Sequence, residues 1–299
     1  MNKLKDMLGF ILIITFLGTK MVAPQSIDKL KTDIIERINS VEGTIAVAFT
    51  DLNQKDFSIL INEDEVFHAA STMKTPVMVE IFKQASLGNL KLDDSILIKN
   101  EFTSIFDNSK FSIDLSRDSG EELYDLIGKK RTIRQLVFDM ITVSSNLATN
   151  ILIELIDPDK VMQTLKENNI FDVKVLRGVE DMKAYNAGLN NTVTAKDLMK
   201  LFALIEIGDL LPKEYKEEML NILLSQKFDS MIPAKLPKNI QVAHKTGSID
   251  GVRHDSGIVY LPGGRKYVLI ILSKNLKDEK AGVECGADIS KMIFDYLTN

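Results

Sequence analysis

The chain has 299 residues, 45% hydrophobic and 26% charged, a composition that suits a folded globular protein and excludes a disordered or fibrous one. A formal net charge of −5, without basic clusters, argues against nucleic-acid binding. The single cysteine, Cys285, excludes an internal disulfide; in the apolar stretch GVECGADI it reads as a small buried core residue and not a reactive thiol.

Lys3 and Lys5 precede the apolar run MLGFILIITFLG, and the polar TKMVAPQ follows, which is the layout of an export segment over residues 1–23. The expected location is therefore periplasmic or secreted. The run is short for a membrane span, and Lys20 and Pro24 fit a cleavage near Ala23 only loosely, so an uncleaved N-terminal tether is the alternative. Next, DKLKTDIIERINS places Leu30, Ile34, Ile35 and Ile38 on one helical face. TIAVAFTDL and FSILIN follow as strands of a hairpin, joined by the polar NQKD. A helix opens at or near Ser71, because Pro76 is tolerated only in a helix's first turn.

From about residue 81 to 230 the signals are helical. Thr132 and Gln135 form a capping box before the stripe Ile133, Leu136, Val137 and Met140, and Thr194 with Asp197 repeats that logic before Leu198, Leu201, Phe202 and Ile205. The chain then returns to strands in QVAHKTG, GIVYL and KYVLIIL, the last two joined by a PGG turn, and closes on the helix ADISKMIFDYLT. The prediction is an α/β (α+β) fold: an antiparallel sheet built from both chain ends and flanked by helices, plus an inserted all-α lobe. The α/β lobe takes residues 24–80 and 231–299 and the helical lobe 81–230, with a cleft between them.

Three short motifs fall at the borders of that cleft. In HAASTMKTPVM, Ser71 stands at a helix start, where unpaired backbone N–H groups can stabilise an oxyanion, and Lys74 lies on the same face. Alone, the pair reads more readily as a helix cap with a surface charge, as Ser26 and Lys29 do. In TVSSNLA, Ser144 and Asn146 occupy a break between apolar helices. In HKTGS, which closes a strand, Lys245 offers a charge, Thr246 a hydroxyl and Gly247 room for close approach. Metal-ligand spacings, glycine-rich phosphate loops and the GxSxG elbow do not occur, so neither metal nor cofactor is expected.

Together, in this order, Ser-x-x-Lys, Ser-x-Asn and Lys-Thr-Gly resemble the motif set of class A β-lactamases and penicillin-binding proteins, from about residue 25 to the C-terminus. The resemblance implies that Ser71 is the acylated nucleophile and that Lys74 helps remove its proton. Ser144 would pass a proton to the leaving nitrogen, Asn146 would hold the substrate's side-chain amide, and Lys245 and Thr246 would meet its carboxylate. The backbone N–H groups of Ser71 and Ser248 would form the oxyanion hole. Arg253 lies close to where many relatives place a carboxylate-binding arginine, though out of exact register, and His254 fills the neighbouring slot. His68 and His244 flank motifs but read as packing residues, since this mechanism needs no imidazole.

Two positions depart from the class A pattern. Ser145 stands where those enzymes have an aspartate that braces the motif. In LRGVEDMKAYNAGLNNT, Glu180 occupies the region of the glutamate that activates the deacylating water, with Arg177 placed to brace the loop or pair with it. Four residues on, however, is Ala184 in place of asparagine, with Asn186 nearby as a substitute. The resemblance thus implies a monomeric serine β-lactamase using Glu180. The alternatives are a D-alanyl-D-alanine peptidase or transpeptidase with slow deacylation, a non-catalytic β-lactam- or peptidoglycan-binding domain, and an esterase or other amide hydrolase on the same fold. The partner is a small-molecule β-lactam or D-alanyl-peptide.

Overall fold

Ser26, the decoy, is a plain cap. It accepts from Lys29 N and opens α1 (Ile27–Asn39), which buries Leu30, Ile34 and Ile38. Ile35, expected on that stripe, is 38% exposed, because a step of about 100° per residue carries it off the face. The computed structural model describes residues 26–54 and 57–298; the export segment expected over residues 1–23 lies outside the described residues.

β1 (Thr44–Asp51) and β2 (Ser58–Ile61) form the predicted hairpin. After β3 (Phe67–His68) a 3-10 turn (Ala70–Met73) leads into α2 (Lys74–Ser86), where Pro76 sits in the first turn and its missing N–H costs nothing. Next come β4 (Ser95–Leu97), β5 (Phe102–Thr103), β6 (Lys110–Phe111) and β7 (Lys130–Thr132). The helices α3 (Ile133–Thr142), α4 (Asn146–Ile156), α5 (Pro158–Glu167) and α6 (Met182–Asn186) follow. The Thr132–Gln135 capping box of α3 forms as the sequence predicts. β8 (Thr192–Val193) precedes α7 (Ala195–Ile207) and α8 (Lys213–Leu224). Thr194 caps α7, but Asp197 turns its carboxylate to Phe171 N and Asp172 N, tying α7 to the preceding loop. The chain ends in β9 (Gln241–Ile249), β10 (Val252–Tyr260), β11 (Lys266–Lys274) and α9 (Glu279–Thr298), which is longer than predicted and takes in the buried Cys285.

The main sheet runs β2-β1-β11-β10-β9, antiparallel throughout, so its strands come from both chain ends. Both faces are buried. On β1, Ile45, Val47 and Phe49 pack against α1 and α9 with Ile34 and Ile289, while Ala46 and Ala48 face the helical lobe. Each fully buried aliphatic or aromatic side chain contributes about 1.5–3 kcal/mol, so the period-two pattern fixes which face meets which layer. The inserted lobe gathers α2 to α8 around a second core, with the ribbons β3–β8, β4–β7 and β5–β6 at its borders. Among the described residues no helix is long and apolar enough to cross a membrane.

Candidate active site

Three strained residues mark the cleft between the lobes. Ala70 (φ 46°), Ser144 (φ 58°) and Glu180 (φ 63°) hold left-handed backbone without being glycine. Such conformations cost roughly 1–3 kcal/mol each and persist where the surroundings over-determine them. Ala70 N donates to His68 Nδ1 and Ala69 N to Asn191 O, which pins the turn that presents Ser71. His254, buried, donates from Nε2 to His68 O and accepts Ser273 N at Nδ1; burial pushes it down to about 4, so it stays neutral. Gly247 has the role of close approach, but toward the Ser71 turn: a Cβ there would lie 3.2 Å from Ser71 N and from Thr72 N.

Lys74 is fully buried at the start of α2 and donates to Ser144 O (2.6 Å), Ser144 Oγ (3.1 Å) and Asn146 Oδ1 (2.9 Å). Burial pushes it down to about 7, opposed by the Asp118 and Glu180 carboxylates. From β9, Lys245, also fully buried, donates to the same Ser144 Oγ (3.0 Å) and to Thr246 O (2.9 Å). Burial, then the charge of Lys74, holds it well below the usual lysine range. Two ammonium groups therefore occupy both lone pairs of Ser144 Oγ, and its hydrogen must point elsewhere. Ser145 is buried and caps α4 by accepting from Ala148 N.

Ser71 lies between two halves of one cleft. A cavity of about 360 Å³ on the Lys245 side is lined by Ser71, Ser144, Asn146, Thr246, Ser248 and Arg253. One of about 460 Å³ on the opposite side shares Ser71, Asn146 and Ser248 and adds Arg177, Glu180 and Tyr185. The structure thus brings Ser71, Lys74, Ser144, Asn146, Lys245, Thr246 and Ser248 together at one cleft.

A sequence model described as the β-lactamase enzyme family matches residues 29–297. The chain belongs to the β-lactamase enzyme family. It is 26% identical over 286 residues to β-lactamase VEB-1 of Pseudomonas aeruginosa, covering 91% of each chain. It is 25% identical to a β-lactamase of Bacteroides uniformis, over 96% of this chain and 98% of that one. Among solved structures it resembles PBP-A, with a TM-score of 0.76 and 25% identity over 92% of this chain and 98% of that one. In fold alone it resembles the TLA-3 extended-spectrum β-lactamase, with a TM-score of 0.80 at 20% identity over 92% of this chain and 100% of that one. With the site geometry, these likenesses make the chain a serine β-lactamase-like hydrolase.

Elsewhere the family pattern is followed less closely. Glu180 lines the cleft, but its Oε2 accepts Asp114 N at 3.2 Å. Arg177 does not pair with it: the guanidinium donates to Leu189 O (3.1 Å) and Gly178 O (3.0 Å) and stacks on Tyr185, bracing the loop from within. Asn186, the expected stand-in for a water-holding asparagine, is exposed at the end of α6, and Ala184 is buried beneath it. The amides that hold the loop are Asn150, which bonds Val179 through both N–H (2.7 Å) and C=O (2.9 Å), and Asn191, which accepts Leu176 N and Arg177 N. Neither was singled out from the sequence, although Asn150 follows Asn146 by one helical turn. Arg253 lines the Lys245-side cavity with its guanidinium committed to Ile249 O, Val252 O and Glu279 of α9. His244 pairs with Asp255 (2.8 Å) and Asp229 (3.4 Å); burial opposes its charge, but the carboxylates push it up to about 9.

Proposed function

We propose that the protein hydrolyses β-lactam amides through an acyl-enzyme on Ser71. The observation that carries this reading is Ser144 Oγ held between Lys74 Nζ and Lys245 Nζ beside Ser71 in one cleft. A Lys74 that titrates near neutrality loses one proton, and its freed lone pair takes the Ser71 proton as Ser71 Oγ bonds to the lactam carbonyl carbon. The carbonyl oxygen gains charge against the N–H groups of Ser71 and Ser248, a contribution worth about 2.7–4 kcal/mol per donor. As the C–N bond breaks, Ser144 hands its proton to the leaving nitrogen and recovers one from Lys74. The substrate carboxylate meets Lys245 and Thr246. Glu180 then takes a proton from the water as its oxygen bonds to the ester carbon and returns that proton to Ser71 Oγ as the ester bond breaks, releasing the acid and restoring both Ser71 and Glu180. The protein acts as a monomer, exported by residues 1–23, and β-lactam resistance is its expected consequence.

A second reading, a D-alanyl-D-alanine peptidase that deacylates slowly, is favoured by one observation. Asn150 grips the backbone of Val179 and not Glu180, and the Glu180 carboxylate leans on Asp114 N. PBP-A, the relative named above, has been solved as a mutant in an acyl-enzyme complex with penicillin G. Intact-mass spectrometry over time with a penicillin and a cephalosporin separates the readings. A transient adduct on Ser71 with turnover supports the hydrolase, a persistent adduct supports the peptidase, and no adduct overturns both.

A further inference from the structure

Ser145 leaves the acylation motif without its own carboxylate, and the structure supplies one from elsewhere. Asp118, 6% exposed, lies 28 residues before Asn146 in the loop between β6 and β7. Its Oδ1 accepts Asn146 N (2.9 Å) and Gly120 N (2.9 Å), and its Oδ2 accepts Leu147 N (2.8 Å), Tyr124 Oη (3.0 Å) and Ser145 Oγ (3.4 Å). Five donors thus converge on one carboxylate, and two are orphan N–H groups at the N-terminus of α4, where a negative charge is most stabilising. The fit is close. A Cβ on Gly120 would lie 2.4 Å from Ser145 Cβ, so only glycine lets the 118–120 turn rest on the motif.

We propose that Asp118 is a positioning residue for acylation: its buried carboxylate fixes the Ser144–Asn146 turn and so holds all three acceptors of Lys74 in place. Ser144 O, Ser144 Oγ and Asn146 Oδ1 all belong to that turn, whose Ser144 backbone is strained and would relax without an anchor. An asparagine at 118 cannot replace the carboxylate, because its amide nitrogen would face N–H donors. Asp118 also acts on Lys74 at longer range. The charges facing that ammonium are Asp118 and Glu180, which favour it, and Lys245, which opposes it.

The proposal rests on acylation at Ser71, and the test separates the two. Labelling of the wild type by a fluorescent penicillin checks the reaction itself. In Asp118→Asn the labelling rate should fall about 10²-fold, the scale of a misplaced catalytic group. Its acidic limb should move to lower pH, since the loss of a carboxylate makes Lys74 easier to deprotonate. Asp118→Ala combined with Ser145→Asp returns a carboxylate to the same space and should regain at least tenfold over Asp118→Ala, an effect of the size expected for a restored buried charge partner. Amide hydrogen exchange of the wild type should show Asn146 and Leu147 N–H protected as strongly as the helix core. Unprotected amides, or a folded Asp118→Asn with unchanged rate and limb, would overturn the proposal. If the wild type takes no label, the acylation reading fails, and the same exchange measurement still decides whether Asp118 is the brace.

Discussion

The two halves of the cleft are built by different means. On the Lys245 side, each candidate group sits on a regular element or its end: Ser71 in the 3-10 turn that leads into α2, Lys74 at the start of α2, Ser144 before α4, Lys245 on β9. Both lysines are completely buried, so their geometry is set by core packing, and their lowered basicity follows from the same burial. On the Glu180 side, the loop from Leu176 to Asn191 is held by side-chain amides and one arginine, and the carboxylate accepts a hydrogen bond from the backbone N–H of Asp114, 66 residues away in sequence. The first half is held rigidly by burial, as the proposed acylation requires. The second depends on a loop, where the proposed deacylation would be sensitive to small shifts.

The comparison can be broken most directly at Ser71. Ser71→Ala should lose penicillin labelling and turnover altogether, read by intact mass; any adduct would move the nucleophile elsewhere. Next is Glu180→Gln, which should leave the rate of adduct formation nearly intact while slowing adduct loss by about 10²–10⁴-fold, the range of a general base. Equal deacylation in parent and variant would remove Glu180 from the mechanism and favour the peptidase reading. The acylation rate should rise with pH through about 7, because Lys74 must lose its proton to act. A flat profile from pH 6 to 8 would mean that Lys74 is not the base.

Smaller effects sharpen the contrast. Asn150→Ala frees the N–H and C=O of Val179 and should cost about 1–3 kcal/mol in denaturant unfolding, with deacylation slowed more than acylation. The opposite pattern would tie Asn150 to the acylation half. His244 is raised to about 9 in the fold, so its pairing with Asp255 and Asp229 stabilises fully below about 6.5 and is lost as pH rises through 9. Melting temperature between pH 6.5 and 9 should therefore fall more steeply for the wild type than for His244→Gln. Equal slopes would mean that the imidazolium is not formed.

Much of the fold is legible in the sequence. The caps at Thr132 and Thr194, the alternation in TIAVAFTDL and the position of Pro76 each follow from backbone geometry within a few residues. The cleft residues proposed for acylation are legible for a different reason: three motifs in fixed order carry a resemblance that no single one carries. Arg177 as a brace also followed, though its partners are backbone carbonyls and not Glu180. The sequence puts Arg253 at the cleft without its tie to Glu279, and it points to Asn186 where Asn150 and Asn191 hold the loop.

What the sequence determined by itself is local: which segments are helix or strand, where helices begin, and which residue types gather around Ser71. Tertiary structure alone decided what those side chains touch. Lys74 meets Ser144 across 70 residues and Lys245 meets it across 101, while Asp118 supplies from 28 residues away the carboxylate that Ser145 lacks. Hydrogen-bond and electrostatic energies depend on distances of a few ångströms, and residue spacing fixes such distances only within one helix, strand or turn. Between elements they are set by how the two cores pack, and there a lysine's pKa and a glutamate's reach are decided.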